Sequence, residues 1–183
     1  MSSDELIISQ TQAWVQRLIV KYTICPFARR ELERRSVRYV VDNGDDVEAH
    51  LERVVSECRI LDEQPAVETT LLIIPGLSSF ADFLDVITVA EQLMSMSGYD
   101  GVYQLAHFHP DYCFEGEQQD DPANYTNRAP YPTLHLLREA SMEEVLKQTP
   151  DPEQIPLRNI EFARRKGADF FECILADIRN SEG

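Results

Sequence analysis

Apolar positions recur at helical spacing through residues 4–22, where Ile7, Thr11, Trp14 or Val15, Leu18 and Tyr22 keep one stripe. Ser3 precedes the stripe as an N-cap candidate. Cys25-Pro26 interrupts it. Proline disfavours helical geometry in the residue before it and suits the first turn of a new helix, so Cys25 is expected at the N-terminus of a helix over 26–35. Val37–Val41 is a short β-rich run closed by Asp42-Asn43-Gly44, a turn signal. Helical spacing returns over 45–61 through Val47, Leu51, Val54, Cys58 and Leu61. Thr69–Ile74 is a nearly continuous apolar run stopped by Pro75-Gly76. Such a run fits a strand covered on both faces, as in a parallel sheet. Residues 79–96 carry Phe80, Phe83, Leu84, Ile87 and Met94 on one side of a helix. Gly98 and Gly101 bracket a turn before a third strand, Val102–Phe108, and a fourth covers Thr133–Arg138. Helices over 141–148, 153–166 and 169–179 complete the chain.

Strand, helix, strand, helix, strand at these lengths implies right-handed crossovers and a parallel sheet. The expectation is one α/β domain over residues 1–183: a layered sandwich, with flanking helices on a mostly parallel sheet of about four strands. An α+β ferredoxin-like arrangement is the rival, differing in strand order and direction.

Composition narrows the class. A chain of 183 residues that is 43% hydrophobic is globular and long enough for a real core. No apolar run approaches membrane-spanning length, so no membrane partner is expected. The N-terminal MSSDELIISQ has acids where a signal peptide has its basic region, which points to the cytoplasm. Cysteines 25, 58, 113 and 173 form no C-x-x-C pair and read as free thiols. The net charge of −15 argues against a nucleic-acid partner. Arg29, Arg30, Arg34, Arg35 and Arg38 are a local exception. They form either a solvated face interleaved with Glu31 and Glu33 or the rim of a pocket for an anionic small molecule.

The unusual chemistry lies in YQLAHFHPDYCFEGEQQDDPANYTNRAPYPTLHLLRE, residues 103–139, which holds three of the four histidines. Its middle is too polar and proline-broken for a regular element, and long ordered loops are usually functional. His107, His109 and Asp111 alternate, so they share a face at the end of the third strand. His109, Asp111 and His135 fit the wording of a two-histidine, one-carboxylate metal site. His109 alternatively braces the loop through a carboxylate, or does acid–base work. His135, between Leu134 and Leu136, also reads as a satisfied, partly buried histidine. Asn127 suits a turn, whereas Arg128 beside Pro and Tyr could clamp a carboxylate or phosphate, with Tyr131 at the mouth. The acids Glu115, Glu117, Asp120 and Asp121 read as solvated surface or as oxygen ligands for a hard cation.

Cys25 is the second candidate. A helix N-terminus and nearby Arg29 and Arg30 should lower its thiol pKa. The word CPFA resembles the active-site word of thioredoxin-like, omega-class glutathione transferases, whose cysteine follows a strand. Leu18–Ile24 would have to be that strand, against its better helical pattern.

The words CPFAR, TTLLIIP, FHPDYCF, NYTNRAPYPTLHLLREAS and RNI resemble those of the bacterial family grouped as domain of unknown function 1415, from about Thr11 to about Ala168. The resemblance implies a single-domain bacterial protein of about this length. It puts Cys25, Pro26, Phe27, His109, Pro110, Asp111, Tyr112, Asn127, Arg128, Tyr131, Pro132, His135, Arg138, Glu139, Arg158 and Asn159 on the family pattern, with His107 and Cys113 flanking it. It brings no catalytic role, so roles must come from chemistry.

The leading expectation is a cytosolic enzyme acting on an anionic metabolite. His109 and Asp111 would be metal ligands, with His135, or an acid–base pair, and Arg128 and Arg138 would bind the anion. The cofactor on the first version is a divalent metal ion. The alternatives are a thioredoxin-like thiol enzyme using Cys25 and a non-catalytic adaptor whose acidic surface docks a basic protein.

Overall fold

Ser2, not Ser3, caps the first helix: its hydroxyl accepts from the Glu5 amide and the Glu5 carboxylate accepts from the Ser2 amide. That helix, α1, runs Ser3–Trp14 in the computed structural model, which describes residues 2–181. It then widens into a π-helix over Val15–Val20. The chain turns at Thr23, whose φ of 55° is left-handed, and starts α2, Pro26–Arg34, with Cys25 as the extended N-cap residue. β1 (Val37–Val41) leads through α3 (Val47–Glu63) to β2 (Thr69–Ile73), then through α4 (Phe80–Met96) to β3 (Tyr103–Phe108). A long connection holding a 3-10 turn, Pro122–Thr126, returns as β4 (Thr133–Arg138). α5 (Glu139–Gln148), α6 (Ile155–Lys166) and α7 (Ala168–Arg179) follow. None of the described helices is long and apolar enough to cross a membrane.

The sheet order is β1-β2-β4-β3. Only β1 and β2 pair in parallel; β4 runs antiparallel to both β2 and β3. The mostly parallel sheet expected from the element order is therefore corrected. β1, β2 and β3 do share a direction, but β4 inserts between the second and third and reverses two of the three pairings. The sheet also differs from the ferredoxin-like rival, because helices cover both of its faces.

The register sorts the sheet residues. Val40, Leu72, Leu134, Leu136, Tyr103 and Leu105 face α3 and α4, meeting Val54, Cys58, Phe83, Ile87 and Met94. Val37, Leu71, His135 and Phe108 lie on the other face. There Leu71 packs with Trp14, Leu18 and Ile19, and with Phe171, Leu175 and Ile178 of α7. α2 and α5 close the near end of that face through Phe27, Leu137, Val145 and Met142. Each fully buried Leu or Phe contributes about 1.5–3 kcal/mol, so the two cores together stabilise the three layers.

Candidate functional site

The long loop is built around His109. Its side chain is fully buried between Phe80 and Phe83, each with its ring centroid 5.2 Å away. Nδ1 accepts from the Asp111 amide at 3.0 Å, which fixes the tautomer, so Nε2 donates to the Leu77 carbonyl at 3.1 Å. Burial holds the imidazole pKa below its ordinary value, against the Leu77 bond and the Asp111 charge. Both ring nitrogens are engaged by backbone. His109 ties the start of the loop to the segment after β2, and the partners are main-chain groups, not the carboxylate expected.

The other loop residues are engaged in the same way. Arg128 donates from Nε to the Tyr112 carbonyl (3.1 Å) and from Nη2 to the Gln119 carbonyl (2.7 Å), and it lies over the Tyr125 ring. Asn127 reaches the His107 carbonyl, and Tyr131 donates to Gln10 of α1. The buried Asn124 accepts from the Phe114 amide and donates to the Gln118 carbonyl. Arg164 bridges Glu117 and Asp121 at 3.0 and 2.8 Å. Asp111 is exposed and faces an open groove with Arg128, Tyr125 and Glu172. Arg138 stands opposite Tyr103, at the far end of β4 from the loop, and holds the Leu61 and Val67 carbonyls. It is not brought to Arg128: five strand steps, about 17 Å, lie between Arg138 and Thr133 at the loop end. Nor are His109, Asp111 and His135 brought together, since His135 points to the α1–α2 side while His109 packs on Phe83 of the α4 side. Among the described residues no group of three or more His, Cys, Asp or Glu could hold a metal ion.

The structure instead joins His135 to Cys25. Both line a partly open cavity of about 50 Å³, with Trp14, Val15, Ile19, Phe27, Ala28, Glu31, Leu32, Val37, Thr69, Leu71 and Phe108 as the remaining wall. The lining is almost wholly apolar. Glu31, only 1% exposed, is neutralised by Arg30 (2.5 Å) and by a hydroxyl bond from Ser36 (2.7 Å). The Thr69 hydroxyl donates to the Leu136 carbonyl at 2.5 Å, so it accepts from His135 Nε2 at 2.7 Å. That leaves His135 Nδ1 as a lone pair with no partner among the described residues. Desolvation lowers the His135 pKa to about 4, so the ring is neutral.

The backbone around Cys25 is unusual. π-helices are rare and gather at functional sites; this one supplies Val15 and Ile19 to the cavity. A β-branched residue at positive φ is an outlier, and Thr23 is one, two residues before the cysteine. α6 overdetermines that conformation: Arg158 donates to the Thr23 carbonyl (2.9 Å) and Asn159 to the Ile24 carbonyl (2.8 Å). Cys25 sits at the helix N-terminus as expected, but its thiol pKa moves the opposite way. Burial pushes it up, and the Phe27 and Ala28 amides only partly oppose that. The helix dipole is real but acts on a thiol removed from water, and desolvation is the larger effect. The strand that a thioredoxin-like frame requires before the cysteine is absent; Leu18–Ile24 is π-helix and turn.

The structure defines a helix-flanked mixed sheet with a cysteine and a histidine lining one apolar cavity. Residues 6–173 match the family model described as "Protein of unknown function (DUF1415)", and the chain belongs to that family. No curated protein matches it, and no solved structure does.

Proposed function

We propose that the protein is an enzyme that works by thiol chemistry on a small, largely apolar electrophile, with Cys25 as nucleophile and His135 as base. The observation that carries this reading is that Cys25 and His135, whose Nε2 is held by the Thr69 hydroxyl, line the same cavity. A nucleophile and a base in one water-poor site are the minimum for covalent catalysis. The leading expectation, with His109 and Asp111 at its centre, asks for a ring nitrogen free to ligate or to move protons, and neither nitrogen of His109 is free. An anionic metabolite, the partner expected from the arginines, fits this cavity only with its charged end outside. A cytoplasmic, reducing setting suits the mechanism, because Cys25 acts as a free thiol, as it stands here.

The test is iodoacetamide labelling of the native protein, read residue by residue by mass spectrometry. Cys58 is the control: it is fully buried and its thiol is pushed up to about 12. Cys25 should label, more slowly than the exposed Cys173, and His135→Asn should slow Cys25 alone. Labelling of Cys25 no faster than Cys58 would sink the proposal.

A further inference from the structure

We infer that β3 is a pairing edge for a second copy of this chain: the two β3 strands meet antiparallel about a twofold axis at Leu105 and join two four-stranded sheets into one of eight. β3 closes one end of the sheet and pairs only with β4. The Glu139 amide donates to the Val102 carbonyl at 3.0 Å, one step before the register in which Tyr103 faces Arg138. Bonded pairs alternate along an antiparallel ladder, so Gln104, Ala106 and Phe108 bond to β4, while Tyr103, Leu105 and His107 turn their N–H and C=O groups outward. The chain itself takes up the first and last of these outward groups. The Tyr103 amide donates to the Tyr99 carbonyl at 3.2 Å, and the His107 carbonyl accepts from the Asn127 side chain at 3.4 Å. Between them, the Tyr103 carbonyl, the Leu105 amide and carbonyl and the His107 amide have no partner among the described residues.

Those four groups alternate in charge: acceptor, donor, acceptor, donor. The complement of that order is the same order read backwards, which is what an antiparallel second copy presents. With Leu105 opposite its own counterpart, the two amides and two carbonyls bond each other, and each His107 amide donates to the Tyr103 carbonyl of the other copy. All the free groups on both edges are then matched. The Tyr103 amide falls opposite the His107 carbonyl of the other copy, and each is already bonded within its own chain, so no group is stranded. A foreign strand in the same place would set a free C=O against the occupied Tyr103 amide and a free N–H against the occupied His107 carbonyl. That cost selects this chain over an unrelated segment.

The edge is open and unprotected. A groove of about 240 Å³ lies beside Gln104 and Leu105, between the strand and Glu91 and Met94 of α4. Edge strands are usually blunted by charge, proline or a bulge. Tyr103–Phe108 reads YQLAHF, without Lys, Arg, Asp, Glu or Pro, and its register with β4 is unbroken. β1, at the other end of the sheet, carries Arg38 and is contacted by α1. Each copy has a net charge of −15, so pairing works against repulsion and added salt should strengthen it.

The experiment takes the full chain through a concentration series. Sedimentation velocity gives the mass, and amide hydrogen exchange read by NMR gives the edge. The mass should rise from the 21.0 kDa of one chain to twice that. Exchange at the Leu105 and His107 amides should slow by about tenfold or more across the series. The Tyr103 and Gln104 amides are the controls, bonded within the chain at every concentration. A mass of one chain throughout would overturn the inference. So would a dimer whose Leu105 and His107 amides stay fast, or slow exchange of both in the monomer, because another interface or the chain's own loop would then be responsible. A dimer that salt dissolves would be held by ion pairs and would overturn it too. His107→Pro removes a donor that the folded chain leaves unused, and proline is tolerated on an edge strand. It should weaken dimerisation by about tenfold or more, and unchanged dimerisation would overturn the β3 pairing. Should that variant not fold, the exchange series on the unsubstituted protein decides.

Discussion

Consider His135→Gln. The wild-type imidazole titrates near 6.5 when unfolded and near 4 when folded, because the folded ring is removed from water. Above the unfolded value both states are neutral and nothing depends on pH. As pH falls below it, the unfolded chain binds a proton that the folded chain refuses, so folding loses stability until the pH passes the folded value near 4. At about 1.4 kcal/mol per pH unit, this one group should remove about 3 kcal/mol between about pH 7 and pH 4. Glutamine keeps a donor for the Thr69 hydroxyl but has no titration. Urea unfolding of both proteins at intervals across that window gives the difference directly, with the carboxylates cancelling. The gap between wild type and variant should narrow or invert towards acid by about that amount. Parallel stability curves would refute the account of a desolvated, neutral His135 with a free Nδ1.

His109→Ala should destabilise by about 3–5 kcal/mol, since it opens a buried space and leaves the Leu77 carbonyl and Asp111 amide unpaired; denaturation that shows less than about 1 kcal/mol would contradict the bracing role. Cys25 alkylation should keep accelerating above neutral pH, because its thiol pKa is raised; a rate already flat at pH 7 would show a preformed thiolate. Asn159→Ala removes the bond to the Ile24 carbonyl and should cost about 1–2 kcal/mol while changing the Cys25 labelling rate; loss of stability with an unchanged rate would make the latch purely structural. Thr23→Gly relieves a left-handed β-branched residue of about 1–2 kcal/mol of strain and adds about 0.5–1 kcal/mol of chain entropy, so thermal stability should hold or rise slightly; a marked fall would speak against strain at that position.

Element identity was legible because periodicity reports burial, and burial is what the elements share. All four strands and the helical segments expected after residue 22 appear close to their expected bounds. Strand direction was not legible for a related reason. The run at Thr69–Ile73 is buried throughout because helices cover both faces of a central strand, and that holds whichever way its neighbour runs. Nothing in residues 133–138 announces that β4 will slip between β2 and β3. The π-helix was invisible because VQRLIV fits a 3.6-residue stripe as well as a wider one. At the site, Cys25 stands out from Cys-Pro, the nearby Arg29 and Arg30 and the CPFA word, but the direction of its titration is not legible because the cavity wall comes from six separate stretches of chain. His135 looked like a satisfied core residue, and at Nε2 it is; its idle nitrogen appears only once Thr69 is seen to donate elsewhere. The loop histidine drew attention by its chemistry, and its chemistry serves the loop.

The placement of β4 bears on how the chain assembles during synthesis. Until residues 133–138 have left the ribosome, β2 has a bare edge on one side and β3 has no partner in the sheet at all. The α4–sheet core therefore cannot close in the order of translation, although domains commonly fold from the N-terminus. An apolar, unpaired β2 edge stays open while the remainder is made, the kind of edge that templates association with other chains. Long-range pairing of this sort is slow to form. Pairing of β4 with both β2 and β3, next to the loop that His109 braces, is what covers that edge.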